Sequence, residues 1–212
     1  MSVTVVICAH TEATRIAPVL TAVTAAAGVD NVIVVADCCS DATATVAGAF
    51  GAAVIPINAH DKGTAMRVGA TASTGTTVLF IDADVSGLRA DQVTVLATTG
   101  PKGGMVVGVR GQLSSGRLPV ILGAWPSISG ERRVPRDFAL RHVHTGSGWK
   151  AETLLDAACA REGLPHRQLI LDGVANTRPK DFRGWLSEVV RVAAIQALYA
   201  PTLARYAWTM QP

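Results

Sequence analysis

Several features that would assign this chain at a glance are missing from it. Its four cysteines, Cys8, Cys38, Cys39 and Cys159, make neither a C-x-x-C pair nor a set spaced with histidines. A zinc site or a disulfide framework therefore has no support, and reduced thiols are expected. Hydrophobic residues make up 49% of the chain and the mean hydropathy is +0.33. Even so, no stretch approaches the roughly 18 unbroken apolar residues that span a bilayer. The opening residues, MSVTVVICAH, lack a basic region and a small-residue cleavage site, so no secretory signal is read and the cytoplasm is the expected location. There is no internal repeat and no low-complexity segment.

What is present is one domain's worth of chain, 212 residues, with an uneven charge. Residues 1–100 hold 4 Lys/Arg against 8 Asp/Glu, and residues 101–212 hold 15 against 8, so the halves carry −4 and +7. An acidic half suited to a cation stands beside a basic half suited to an anion; solvated surface arginines would give the same count.

The first hundred residues alternate short β-branched runs with helical patterns. Strands are expected at 3–9, 31–37, 52–57 and 76–84, and helices near 12–27, 41–50 and 62–73. This order predicts an α/β fold, a mostly parallel central sheet flanked by helices. A helix near 91–99 and a strand at 104–109 continue it. Gly, Pro, Ser and Arg break the pattern from 112 to 136, where a functional loop region is expected. A helix at 150–162, a strand at 167–172 and a terminal helix at 182–199 follow. Ligands of such sheets lie beyond the carboxyl ends of the strands, and three acidic loops fall there: His10 to Glu12, Asp37 to Asp41, and Asp82 to Asp84.

Asp82 and Asp84 end the apolar run VLFIDAD. Two carboxylates so close repel unless a hard cation joins them, and Mg²⁺ or Mn²⁺ on one or two carboxylates completes its shell with water and phosphate oxygens. Alone the tripeptide is equally compatible with capping or salt-bridged aspartates. It is not alone. VVICAHTEATRIAPVL (5–20), VIVVADCCSDATATVA (32–47), DKGTAMRVGATASTG (61–75) and VLFIDADVS resemble, in order, the strand-end motifs of the GT-A (Rossmann-like) glycosyltransferases of family 2 and its relatives. These include phosphoglycerate glycosyl- and mannosyltransferring synthases and polyprenyl-phosphate glycosyltransferases.

The resemblance implies a single GT-A domain, with a nucleotide-sugar donor half at 1–110 and an acceptor half at 111–212. It implies a UDP- or GDP-sugar donor and Mn²⁺ or Mg²⁺. Ala9 and Glu12 fall on the loop that meets base and ribose, Asp37 on the carboxylate expected at the base, and Lys62, Asp82 and Ala83 beside the donor. Asp84 falls on direct metal coordination, Asp82 on the ribose or the metal through water, and His144 of the HVH stretch (142–144) is a candidate further metal ligand. Asn176 stands where relatives often carry that histidine. His10, His60 and His166 read as ordinary polar residues.

GSGWKAETLLDAA (146–158) resembles the family's acceptor-side segment. It puts Trp149 against the acceptor and Glu152 where a carboxylate could orient or deprotonate an acceptor hydroxyl; a helix first-turn role is the alternative. WPSISGERRVPR (125–136) sits at the family's acceptor loop, which makes Arg132 and Arg133 candidates for an anionic acceptor. That acceptor class spans a polyprenyl phosphate, a small phosphorylated acid and a modified base in DNA. The terminal helix could serve as core or as the face of a homodimer. Two other readings compete. A nucleotidyltransferase shares the layout but wants a Gly-rich basic loop after the first strand, and CAHTEATRI has no Gly. The other is a non-catalytic nucleotide or nucleic-acid binding module.

Overall fold

A computed structural model describes residues 2–110 and 129–176. The chain runs β1 (Val3–Ala9), α1 (Ile16–Thr24), β2 (Asn31–Asp37), α2 (Thr43–Ala49), β3 (Ala53–Ile57), α3 (Lys62–Ala72), β4 (Thr77–Asp82), β5 (Val85–Ser86), α4 (Ala90–Thr98) and β6 (Met105–Arg110). After residue 128 come β7 (Arg132–Pro135), α5 (Arg136–His142), a 3₁₀ turn (Gly148–Lys150), α6 (Ala151–Glu162), β8 (His166–Leu171) and β9 (Ala175–Asn176). The expected terminal helix at 182–199 lies outside the described residues.

Seven strands form one sheet in the order β3-β2-β1-β4-β7-β6-β8. β7 is antiparallel to both neighbours, and all other pairs are parallel. β5 and β9 make a separate two-stranded ribbon beside the carboxyl edge. Pro56, which lacks an N–H, sits on the edge strand β3, where a missing donor is tolerated.

The near-continuous apolar strands are explained by burial on both faces. Along β1, Val3, Val5 and Ile7 pack with α1 and α4, while Val6 points oppositely onto α3. Each such fully buried Val or Ile contributes about 2 kcal/mol, so the register cannot slip by one residue without reversing the set. α3 lies close because Gly69 faces β1: a Cβ there would stand 2.2 Å from Val6 Cγ1. That close approach brings the first residue of α3, Lys62, to the carboxyl edge.

The segment from 132 to 136 departs from the loop expected there. It is the sheet's antiparallel strand and the start of α5. Its Arg-Arg pair hid a strand whose burial depends on partners distant in sequence.

Candidate active site

At the carboxyl edge, the loops after β1, β2 and β4 and the start of α3 enclose a pocket of about 160 Å³. Ala9, Glu12, Asp37, Lys62, Asp82, Ala83, Asp84 and Trp149 all line it. So do His10 and His60, which the sequence reading left as ordinary polar residues. Three residues at the rim hold positive φ without being glycine: Thr11 (57°), Cys38 (51°) and His60 (50°). Such backbone is costly and is held only where the surroundings over-determine it.

Those surroundings centre on Asp37. Its Oδ1 accepts from the backbone N–H of Ala59 and His60, each at 2.8 Å, and its Oδ2 from Asp61 N–H at 2.8 Å. Burial opposes the charge, yet the three amide bonds outweigh it and hold the carboxyl below its usual range. Most of Asp37's accepting capacity thus goes to shaping the 59–61 loop. His10 Nδ1 meets the Asp37 carbonyl at 2.7 Å, which fixes that nitrogen as the donor, and the His10 and His60 rings stand edge to face at 4.7 Å. Glu12 is 4% exposed and pairs with Arg15 at 2.5 Å. Asp41 accepts from Thr43 N–H at 3.0 Å, beside the start of α2.

The two aspartates of the D-x-D motif are treated differently by their neighbours. Asp82 lies between Lys62 Nζ at 2.7 Å and Arg110 Nη2 at 2.7 Å. Burial alone would raise its pKa; the two cations overcome that and hold it far below the carboxylate range. Arg110 continues to Glu131 at 2.9 Å, and Lys62 to Glu152 at 2.5 Å. Lys62 and Arg110 remain charged well beyond their ordinary ranges, since their carboxylates outweigh desolvation. The Lys62 ammonium also stands 4.6 Å from the Trp149 ring centroid, a cation–π contact. Cys8, beneath them, is pushed up to about 12 by burial and is a neutral thiol. Gly130 closes the site: a Cβ there would fall 2.2 Å from the Asp82 carboxylate.

Asp84 is half-buried in the turn after β4 and lines the pocket. Among the described residues no group of three or more His, Cys, Asp or Glu could hold a metal by itself. The donor set therefore fits a hard divalent ion held by one carboxylate and completed by phosphate oxygens and water. A thiolate or imidazole cage does not fit it.

Arg132 and Arg133 require correction. They stand in β7, 1% and 2% exposed, and not on an acceptor loop. Arg132 Nη1 pairs with the buried Asp156, and its Nε donates to Ser129 O at 2.8 Å. Arg133 Nη1 donates to Ala97 O at 3.0 Å, and burial lowers its pKa. Buried guanidiniums in the sheet are not presented to an acceptor. His142 belongs to α5 and pairs with Glu162 at 2.5 Å, while His144 is exposed and is not among the residues lining the pocket. The residues that sequence reasoning missed are Arg110, Glu131, Ser129, Asp61 and Asp156. Of these, Arg110, a charge at a strand's carboxyl end, and Asp61, directly before the helix expected from residue 62, gave a signal.

Asp61 anchors the acceptor-side segment. It caps α3 by accepting from Thr64 N–H at 2.6 Å, and it also accepts from Gly146 N–H at 3.0 Å and Gly148 N–H at 2.7 Å. This fastens residues 146–148 to α3 and sets Trp149 and Glu152 beside Lys62.

Residues 4–92 match the family model described as glycosyl transferase family 2. No curated protein is similar to the chain in sequence beyond chance. Glucosyl-3-phosphoglycerate synthase from Mycobacterium tuberculosis, solved with Mn²⁺ and UDP-glucose, superposes with a TM-score of 0.76 at 23% identity, covering 93% of this chain and 78% of that one. The same enzyme with Mn²⁺, UDP-glucose and phosphoglyceric acid gives 0.72 at 24% identity, over 97% and 79%. These likenesses establish the GT-A fold, and the family match covers the residues that hold the four strand-end motifs of the resemblance.

Proposed function

We propose that this chain, a family 2-like glycosyltransferase of the GT-A fold, moves a sugar from a nucleoside-diphosphate sugar to a phosphate-bearing acceptor with the help of a divalent ion at Asp84. The observation that carries the reading is the convergence of Asp84, Lys62 and the 59–61 loop on one pocket at the carboxyl edge. Cleaving the anomeric bond builds negative charge on the leaving diphosphate, and a cation at Asp84 would supply Lewis-acid stabilisation there. Lys62 is the permanent cation among the described lining residues and serves the same phosphates. The loop shaped by Asp37, with His10 and His60, serves the nucleoside.

Glu152, 6% exposed at the start of α6, is the candidate to orient the acceptor hydroxyl, with Trp149 beside it. The neighbouring synthase binds UDP-glucose, Mn²⁺ and phosphoglyceric acid. That makes UDP-glucose with Mn²⁺ the first donor to test and a small phosphorylated acid the first acceptor.

The test is thermal unfolding with UDP, GDP and their sugars, with and without Mn²⁺, followed by assay of sugar release and transfer. Mass action predicts a metal-dependent rise of several degrees with one nucleotide and loss of turnover in Asp84→Ala. Turnover that survives Asp84→Ala would remove the metal role.

A further inference from the structure

The pocket contains a competition that its proposed use must resolve. Lys62 Nζ stands between Asp82 at 2.7 Å and Glu152 at 2.5 Å, with side-chain exposures of 11%, 16% and 7%. Asp82 has a second cation, Arg110, at 2.7 Å, and Arg110 is itself fixed to the buried Glu131. Glu152 has Lys62 as its counter-charge. Yet Lys62 is also the one Lys or Arg among the described residues lining the pocket that would receive the diphosphate.

We propose that Lys62 is shared between the donor's diphosphate and Glu152, so that arrival of the donor draws the ammonium from Glu152 and releases that carboxylate toward the acceptor. The proposal rests on the donor reading above. An ammonium has three donors on a flexible stem, and Lys62 stays tethered by Asp82 while it turns. In the donor-free pocket, the Lys62 ammonium occupies Glu152 Oε1, so that oxygen is not open to an acceptor hydroxyl. With the donor's phosphate oxygens on Lys62, Glu152 is freed toward the acceptor hydroxyl. Lys62 is then a positioning residue for the acceptor side as well as a phosphate ligand. The consequence runs both ways by linkage: whatever weakens the hold of Glu152 on Lys62 strengthens the donor's.

The experiment is calorimetric titration of UDP with Mn²⁺, with uridine as the phosphate-free control, into wild type, Glu152→Gln, Lys62→Met and the double variant. Urea unfolding checks that each is folded. Glu152→Gln is expected to bind UDP about 5-fold tighter or more, the low end of coupling between interacting sites, while its affinity for uridine is unchanged and sugar transfer falls. In the Lys62→Met background the same substitution is expected to bring no gain.

Unchanged or weaker UDP binding by folded Glu152→Gln would overturn the proposal. So would an equal gain without Lys62, since that is a general field effect. Failure of the donor reading looks different: wild type itself would bind neither UDP nor GDP with Mn²⁺.

Discussion

Asp82 and Asp84 are the same residue type two positions apart, and their surroundings assign them opposite work. Asp82 holds Lys62 and Arg110 in place, whereas Asp84 lines the pocket from the turn. Substituting each by Asn separates the roles. Asp82→Asn breaks a buried ion network and leaves cations under-compensated, at a cost of about 3 kcal/mol in urea unfolding. Asp84→Asn is expected to cost under about 1 kcal/mol, as for partly exposed charges, while abolishing the Mn²⁺-dependent part of nucleotide binding. If the two variants shift the unfolding midpoint equally, the division of labour is wrong. The sequence could place both carboxylates at a strand end but could not divide them, because the deciding neighbours, Lys62 and Arg110, lie 20 and 28 residues away. Asp37 shows the same limit. Its place at the strand end was legible, but its saturation by three amides of the 59–61 loop depends on backbone geometry that no side-chain pattern encodes.

At the level of elements, α3 organises the acceptor side through its first turn. Asp61 caps the helix and ties down Gly146 and Gly148, and Gly63 gives the incoming segment room. A Cβ on Gly63 would lie 1.9 Å from Ser147 Oγ and 2.8 Å from His144 O. Gly63→Ala is therefore expected to push the 144–150 segment outward, at about 1–3 kcal/mol for the overpacking. Trp149 would move off the Lys62 ammonium, so its fluorescence should change. Acceptor KM should rise more than donor KM. Adding Ser147→Gly removes the nearer clash and should restore part of both; no restoration would mean that the segment is not displaced through Ser147. The helices and parallel strands of the first hundred residues were legible because period and turn residues agreed there. β7 was not, since the partners of its arginines, Asp156 and the carbonyls of Ser129 and Ala97, lie outside the strand. The basic second half was read as an anion-binding surface. Several of its arginines instead serve internal contacts: Arg110 with Glu131, Arg136 with the Ala70 carbonyl, and Arg141 with Glu162.

Across the whole molecule, the buried charges make folding and pH inseparable. Counting the connected groups, Lys62, Arg110 and Arg132 face Asp82, Glu131, Glu152 and Asp156. Among these groups carboxylates outnumber cations by one, and burial raises the pKa of Asp156 to about 6 against the attraction of Arg132, with the charge of Glu152 adding to the rise. The sign follows from linkage. Asp156 binds its proton more tightly folded than unfolded, so its contribution to stability is complete below the unfolded value near 4 and is lost as pH rises through 6. Asp82, held low, works the other way: its contribution is complete above the unfolded value and is lost as pH falls through its folded one. Asp156→Asn isolates the first effect, because the amide cannot titrate. The stability of wild type relative to Asp156→Asn, from urea midpoints, should fall by up to about 3 kcal/mol between pH 4 and 7. Above pH 7 the difference should be level. A difference that stays flat from pH 4 to 7 would mean that Arg132 balances Asp156 as fully in the core as water does outside it.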